Sequence, residues 1–308
     1  LSRLDSPDME DRPILVATDG NAHADTALIA AAFIAGRVGG NVRVFSIVEG
    51  ASPACREWDN TSGRLHGPHE PRPRCRTQER ISGEREARCA MIKGQVALTV
   101  GDAANWPVTV HDGPLGETSR DLVTRTHARL MVVGQCRQRT VDVHADSDRA
   151  TDVLMQCGVP VYIAAPTLRG IARRVVAAID FSEASIRAAQ VVSRICAADA
   201  RMYLVHVIPY ASTREMEARR RELLSVERML NERSGVRLES IMLVGDNAAG
   251  ETLNFADGIQ ADVIACGSPD SRAISSQDPS SPAADHVTQD LIRQASCSLL
   301  IAPALTDL

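Results

Sequence analysis

The chain has 308 residues, which predicts about two domains at roughly 150 residues per domain. A net charge of -5 and an aromatic content of 3% argue against nucleic acid as a partner, because DNA and RNA require a basic surface and single strands favour aromatic rings for stacking. The longest purely apolar run, residues 27–35, is far shorter than the roughly 17 to 25 residues that span a bilayer, and the first residues lack the apolar segment of a signal peptide. We therefore expect a cytoplasmic protein without a membrane partner.

The strongest signal in the chain is an internal repeat. Residues 14–20 (ILVATDG) return 161 residues later as residues 175–181 (VVAAIDF). Each copy is an apolar run that ends in an aspartate, Asp19 or Asp180, and leads into an alanine-rich helical pattern. This arrangement is typical of a buried strand that feeds a helix. The sequence therefore predicts two copies of one α/β unit.

The first copy contains alternating strand and helix patterns, with Asn21 as the predicted cap of its first helix. Residues 50–77 are rich in proline, glycine, arginine and histidine without a period, so they predict an irregular insert. We assign the first domain to residues 12–168. Its predicted strands are 14–17, 42–48, 108–111, 130–133 and 159–164, and its predicted helices are 24–38, 79–100, 117–126 and 148–157.

The second copy repeats this order, with Ser182 as the predicted cap of its first helix. We assign the second domain to residues 172–304. Its predicted strands are 175–179, 202–208, 238–244, 263–266 and 298–302, and its predicted helices are 183–197, 214–233, one that begins at Gly250, and 287–294. Alternation of strands and helices predicts a parallel sheet covered on both faces, in which ligands bind beyond the carboxyl ends of the strands.

A metal site is a weak alternative for the insert. Cys55, His66, His69 and Cys75 are suitable ligand types, but their spacing matches no common zinc pattern, so a solvated loop is the favoured interpretation. The eight cysteines of the chain include no C-x-x-C pair, and we expect most of them to be buried as small hydrophobic residues. No metal site is predicted.

The known catalytic and phosphate-binding motifs are absent. The chain has no P-loop, no dinucleotide fingerprint and no G-x-S-x-G elbow, so no catalytic residue is predicted. His206 lies in a buried-strand pattern, which favours a hydrogen-bonded core residue over an acid or base. The arginine-rich run 72–88 is interrupted by glutamates, which favours a solvated helix face.

Taken in order, these features resemble the universal stress protein family. The resemblance rests on the strand that ends in aspartate, a second strand that ends at Val48 or at 206–208, a fourth strand that ends at Gly134 or Gly267, and the closing run 159–163. It covers about residues 12–166 and 173–303, so the chain resembles a tandem, two-domain member.

The resemblance implies a specific fold and assembly. Each domain would be Rossmann-like, of the adenine nucleotide alpha hydrolase type, with five parallel strands and helices on both faces. The two domains would pack through their fifth strands as an internal pseudo-dimer, and further self-association, such as a homodimer, is expected. The implied role is that of a stress-response binding or regulatory module.

One branch of the family binds ATP through an aspartate after the first strand and a loop of the pattern G-x2-G-x9-G-[S/T]. Glycines allow backbone amides to approach phosphate closely, and the last residue caps a helix whose N-terminus attracts anions. In this chain the corresponding candidate residues are Asp19, Val48, Gly134, Arg137, Ser147 and Asp148 in the first repeat, and Asp180, Val207 and Gly267 in the second. In the first repeat Arg137 replaces the second glycine of the pattern, and Ser147 and Asp148 replace its final Gly-[S/T] pair. In the second repeat Asp270 replaces the second glycine.

Two interpretations of these loops stay open. In one, the loops bind no nucleotide and Asp19 and Asp180 only cap or brace the helices that follow them. In the other, the first repeat binds ATP or another adenine nucleotide, with Arg137, Arg139 and Arg149 replacing backbone amides as phosphate donors. We predict a stress-response module with at most a weak or modified nucleotide site. The alternatives are a slow ATPase that uses the first repeat, and a ligand-free scaffold whose insert binds an unidentified protein partner.

Overall fold

The computed structural model describes residues 12–21, 24–48, 78–101, 105–135, 157–209, 212–232, 235–268 and 284–304. Within these residues the strands are β1 (Ile14–Ala17), β2 (Val42–Val48), β3 (Val108–Asp112), β4 (Leu130–Gly134), β5 (Val161–Ala164), β6 (Arg174–Ala178), β7 (Arg201–Ile208), β8 (Arg237–Val244), β9 (Val263–Gly267) and β10 (Ser298–Ala302). The helices are α1 (Asp25–Val38), α2 (Gln78–Val100), α3 (Leu115–Thr126), α4 (Glu183–Ile195), α5 (Thr213–Asn231), α6 (Ala248–Gly258) and α7 (Ala284–Gln294).

All ten of these strands form one sheet in the order β3-β2-β1-β4-β5-β10-β9-β6-β7-β8. Within each half every strand pairing is parallel. The halves meet where β5 and β10 pair antiparallel, with Tyr162 opposite Leu300. The predicted fold class is therefore confirmed, and the fifth strands join the two halves as the resemblance implied.

The hydrophobic core has two layers, one on each face of the sheet. One layer lies beneath α1, α2, α4 and α5, and the other lies beneath α3, α6 and α7. Neighbouring strand residues alternate between the layers: Ile14 belongs to the first and Leu15 to the second, as do Val175 and Val176. The inner strands β1, β4, β5, β6, β9 and β10 are buried on both faces, which explains why they are continuous apolar runs instead of alternating ones. The outermost strands β3 and β8 are only partly buried.

Both layers extend across the junction between the halves. Leu300 of β10 lies in the first layer, and its neighbours Leu299 and Ile301 lie in the second. On the helix side, Arg37 of α1 donates from Nε to the carbonyl oxygen of Cys196, just after α4, at 3.1 Å. The two halves therefore share one core.

Two predicted segments lie outside the described residues: the insert 50–77 and most of the helix predicted at 148–157. None of the helices within the described ranges is long and apolar enough to cross a membrane.

Candidate functional site

The strand order reverses direction between β1 and β4 and again between β6 and β9, and these are the positions where open α/β sheets bind ligands. Continuing the observed registers by two residues places Thr18 opposite Gly134 and Ile179 opposite Gly267. We call the carboxyl ends of β1–β4 the first edge and those of β6–β9 the second edge. Because β5 and β10 are antiparallel, the two edges lie at opposite ends of the sheet.

At the first edge the Asp19 carboxylate is exposed and holds the turn that follows β1. It accepts hydrogen bonds from the backbone N–H and the side-chain amide of Asn21, both at 2.9 Å. The amide of Gly20 donates to Thr18 Oγ1 at 3.0 Å. The predicted capping role of Asn21 is wrong: the N-cap position of α1 is Ala24, three residues further on, and it has no side-chain cap.

Helix α2 crosses the first edge and fastens the junction between β1 and α1. Arg88 donates from Nε to Ser46 Oγ at 2.8 Å and from Nη2 to the Asp19 carbonyl at 3.0 Å. Gln95 donates to the Asn21 carbonyl at 3.0 Å and to Asp25 at 2.7 Å. For Arg88 the prediction of a solvated helix face is therefore wrong, because its guanidinium is bound to the ends of two strands.

The rest of the first edge also carries arginines. Arg85 forms an ion pair with Asp112, which lies beside Val48 in the register of β2 and β3. The pKa of His111 is lowered from 6.5, first by burial and then by the nearby Arg125 and Arg85. His111 is therefore neutral at neutral pH. The positively charged side chains near this edge at that pH are arginines.

The lowered pKa of His111 predicts a pH dependence of stability. Between its folded pKa and 6.5 the unfolded chain binds a proton that the folded chain does not, so the free energy of unfolding should decrease as the pH falls below 6.5. A urea denaturation series across this pH range, compared with His111→Gln, measures the contribution. The variant should lose less stability on acidification, and equal losses would contradict the prediction.

At the second edge Asp180 braces the start of α4. Its Oδ1 accepts the backbone N–H of Ser182 at 2.9 Å, and Ser182 Oγ accepts the N–H of Ser185 at 3.1 Å. The predicted Ser182 cap is confirmed. Both aspartates therefore accept the amide two residues onward, which is the bracing role that the first interpretation gave them.

Capping predicts a measurable difference between the two helix starts. Ser182→Ala should lower the free energy of unfolding by about 1 kcal/mol, because it leaves the Ser185 amide without its acceptor. Asn21→Ala, whose side chain caps nothing, should cost about 0.5 kcal/mol or less, as a surface substitution does. Chemical denaturation of both variants checks this, and an equal or reversed order would contradict it.

The second edge is filled by its own side chains. Phe181 has a φ of 68°, at the position where the first repeat has Gly20 with a φ of 82°. This left-handed conformation costs a residue with a Cβ about 1–2 kcal/mol. The Phe181 ring packs against the His206 imidazole at 4.5 Å, and the Arg219 guanidinium lies 5.4 Å from the ring centre. His206 Nδ1 also contacts the Ile179 carbonyl oxygen at 2.7 Å, so the predicted hydrogen bond is confirmed, but the side chain is half-buried and not part of the core.

Gly267 is needed for packing. A Cβ on Gly267 would lie 2.8 Å from the Ser185 nitrogen and 2.9 Å from the Ala184 Cβ, so the first turn of α4 sits directly on this glycine. Val207 packs toward the other face of the sheet, against the second core layer. The second edge therefore brings Asp180 close to Gly267 but leaves Val207 on the opposite face.

The backbone N–H that follows each candidate glycine already donates a hydrogen bond within the chain. Gln135 N–H donates to the Ala164 carbonyl at 2.9 Å, and Ser268 N–H donates to the Ala302 carbonyl at 2.8 Å. In both halves this amide extends the pairing with the fifth strand, so it does not face a phosphate. Any phosphate donors must come from side chains or from later loop positions.

Several predicted site residues lie outside the described residues. These are Arg137, Ser147 and Asp148, the neighbouring arginines Arg139 and Arg149, and Asp270. The same holds for Cys55, His66, His69 and Cys75, and the part of the chain that the structure describes contains no group of three His, Cys, Asp or Glu residues arranged to hold a metal ion.

Of the five cysteines that the structure describes, four are buried in the core. Burial raises the pKa of Cys157 and Cys266 to about 12 and that of Cys196 and Cys297 to about 11. These thiols stay protonated at neutral pH, so they behave as small apolar side chains and not as nucleophiles.

Comparison with known proteins assigns both repeats of the chain to one family. A model of the universal stress protein family matches residues 11–164 and 172–303. A search of curated protein sequences found no match. A universal stress protein from Archaeoglobus fulgidus DSM 4304 has a similar structure, with a TM-score of 0.65 and 15% sequence identity over 95% of this chain and 98% of that chain. A protein of unknown function from Pseudomonas aeruginosa PAO1 is similar with a TM-score of 0.57 and 13% identity, over 97% of this chain and 95% of that chain. At these identities the structural likeness shows the fold alone.

Proposed function

Because the chain belongs to the universal stress protein family, we propose that it is a stress-response binding module whose first edge holds a weak, modified adenine-nucleotide site. The observation that carries this proposal is the contrast between the two edges. At the first edge, where the strand order reverses, the Arg88 guanidinium donates to the backbone carbonyl of the exposed Asp19, and Met91 packs over Gly20. At the second edge Asp180 is equally exposed, but Phe181 stands in the place of Gly20 and its ring packs against His206.

The charges of the first edge suit the two parts of a nucleotide differently. A carboxylate only accepts hydrogen bonds, so Asp19 would receive them from the ribose hydroxyls or the adenine amino group and would repel phosphate. Guanidinium groups pair with phosphate through two parallel N–H donors. Arg88 lies at this edge, where it already donates to Ser46 and to the Asp19 carbonyl. The sequence places Arg137 and Arg139 in the loop that follows β4, and Arg149 at the start of the next predicted helix. The ligand would therefore lie with its base and ribose at Asp19 and its phosphates toward the arginines.

The proposed site differs from a glycine-rich phosphate cradle. The first amide after Gly134 is bonded to Ala164, so the backbone contributes less to phosphate binding than a glycine loop does. Side-chain guanidiniums must be ordered on binding, which costs conformational entropy. This supports weak binding, and its affinity should decrease with added salt because exposed ion pairs are screened.

Titration of ATP with magnesium into nucleotide-free protein tests the proposal. Asp19→Ala should weaken binding by roughly ten- to hundredfold, the cost of losing a hydrogen bond to a charged group. Asp180→Ala changes the equivalent residue at the second edge and is the matched control, so it should leave binding unchanged. Arg137→Ala should weaken binding of ATP more than binding of adenosine.

Three outcomes would overturn the proposal. These are no binding at millimolar ATP, binding that Asp19→Ala leaves intact, and binding that only Asp180→Ala removes. The first of them would leave a ligand-free scaffold, and the search would move to protein partners. Release of phosphate during the titration would show in addition that the site hydrolyses ATP.

A further inference from the structure

Helix α2 holds the turn after β1 through three side chains that follow one another along one side of the helix. Arg88 and Gln95 each donate to a backbone carbonyl of turn 19–21, both at 3.0 Å. Between them, the methyl group of Met91 occupies the space that a Cβ on Gly20 would need. Positions 88, 91 and 95 have the spacing of one helix face, so each side chain contacts the turn in order. We call these three side chains the α2 clamp.

The Met91 contact is the apolar part of the α2 clamp, and it depends on glycine at position 20. The Met91 sulfur lies 3.5 Å and Ile92 Cγ1 lies 3.9 Å from the position of that missing Cβ, so the thioether lies against the turn. At the second edge Phe181 stands in the place of Gly20, and its ring packs against His206 instead. A thioether laid over the turn is therefore a feature of the first edge.

The same thioether is open to solvent. Met91 is 48% exposed, whereas Met131 and Met202 have no exposed surface. The other methionines that the structure describes are half-buried. An oxidant in solution must reach the sulfur to react with it, so Met91 should react first among these methionines.

We propose that Met91 is a modification site, at which a peroxide oxidises the thioether to the sulfoxide and thereby releases Met91 from turn 19–21. A lone pair of the sulfur attacks one oxygen of the peroxide, the O–O bond breaks and an S–O bond forms. With hydrogen peroxide, the departing hydroxide takes the proton of the transferred oxygen and leaves as water. The sulfur loses two electrons and the peroxide gains them. A methionine sulfoxide reductase can reverse the change.

The sulfoxide does not suit the place that the thioether occupies. Oxidation makes an apolar group polar and gives the sulfur an oxygen that needs a hydrogen-bond donor. The N–H of Gly20 already donates to Thr18 Oγ1, and the Ile92 side chain has no donor. Burying an unpaired acceptor costs free energy, so the oxidised side chain should turn toward water. Of the α2 clamp, Arg88 and Gln95 would then hold the turn without the apolar contact.

The consequence for ligand binding rests on the proposed function. Turn 19–21 carries the Asp19 carboxylate, which is the proposed acceptor for the ribose or the adenine. A looser turn presents this carboxylate in more orientations, and ordering it on binding costs free energy. Oxidation of Met91 should therefore weaken ATP binding by roughly three- to tenfold. The modification itself needs no nucleotide, so the two proposals can fail separately.

Peroxide treatment of the folded full-length chain, followed by peptide mass spectrometry, tests the modification. Met91 should be oxidised about tenfold faster than Met131 and Met202, because the latter are reached only when the core opens. Amide exchange measured by NMR should then be about threefold faster for Gly20 and Asn21. Treatment with a methionine sulfoxide reductase should restore the original exchange rates.

Met91→Leu is the matched control, because leucine keeps an apolar side chain of similar volume that peroxide does not oxidise. Cys89 on the same helix stays available to the oxidant in this variant, so any effect of cysteine oxidation remains visible. Peroxide should leave the exchange of Gly20 and Asn21 unchanged in Met91→Leu.

Three outcomes would overturn the modification site. These are oxidation of Met91 no faster than that of the buried methionines, a Met91 sulfoxide that leaves the exchange of the turn unchanged, and a response of Met91→Leu equal to that of the wild type. Faster exchange with unchanged ATP affinity would overturn the effect on binding. Absence of ATP binding by the untreated chain would contradict the proposed function, while mass spectrometry and amide exchange would still decide the modification.

Discussion

Replacing Leu300 by alanine should lower the free energy of unfolding by about 2–5 kcal/mol, the range observed when a buried leucine is truncated in a packed core. Leu300 has no exposed surface and lies in β10, between Tyr162 of β5 and Ala265 of β9. Its side chain belongs to the core layer that both halves share, so the loss should destabilise both halves together. Urea denaturation followed by circular dichroism measures the change.

The control for this substitution is Val244→Ala on the exposed edge strand β8. Val244 is 41% exposed, so its truncation should cost far less than that of Leu300. Leu300→Ala should also keep one unfolding transition, because the two halves share their core. Separate transitions for the two halves, or a loss below about 1 kcal/mol, would contradict the shared core described above.

Gly267→Val should be the most damaging substitution after Leu300→Ala. It should lower the free energy of unfolding by about 1–3 kcal/mol or more, because it overpacks the contact. The new Cβ would lie 2.8 Å from the backbone nitrogen of Ser185, and a backbone atom cannot rotate away as a flexible side chain can. The strand end and the first turn of α4 must therefore separate. Thermal unfolding monitored by calorimetry gives the change directly.

Gly258 is the control glycine, and the opposite result is expected for it. Gly258 is the last residue of α6, and a Cβ there would meet nothing within 4 Å. Gly258→Ala should be neutral or stabilise the protein by up to about 1 kcal/mol, since alanine favours helix. If both glycine variants behaved alike, the close approach of α4 to Gly267 would not be the cause of the loss.

Most of the fold was predictable because the buried strands are continuous apolar runs in the sequence. The repeat of 14–20 at 175–181 fixed the number of units, and Ser182 marked a helix start through its side-chain oxygen. The direction in which the halves meet was less accessible to residue patterns. It depends on which strand edges pair, and here the family resemblance carried the prediction that β5 and β10 meet.

The candidate site was less predictable, because its side chains come from distant parts of the chain. Arg88 lies in a run of alternating charges, which favoured a solvated face, yet its spacing from the buried Ile92 and Val96 places it toward the sheet. That spacing was the available signal. Asn21 has the correct residue type for a cap, but α1 begins only after Ala24, and residue type alone does not locate the first turn of a helix.

Because the two halves join through antiparallel strands, the molecule has two independent ends. Something bound at one end cannot touch what is bound at the other, and the two are separated by at least the length of a strand, about 15 Å for five residues. Each end is also free to change separately, since the shared core and not either end holds the molecule together. Such a chain can keep a ligand site at one end while side chains occupy the equivalent position at the other end. The presence of Gly20 at one end and Phe181 at the other is in keeping with such a division of roles.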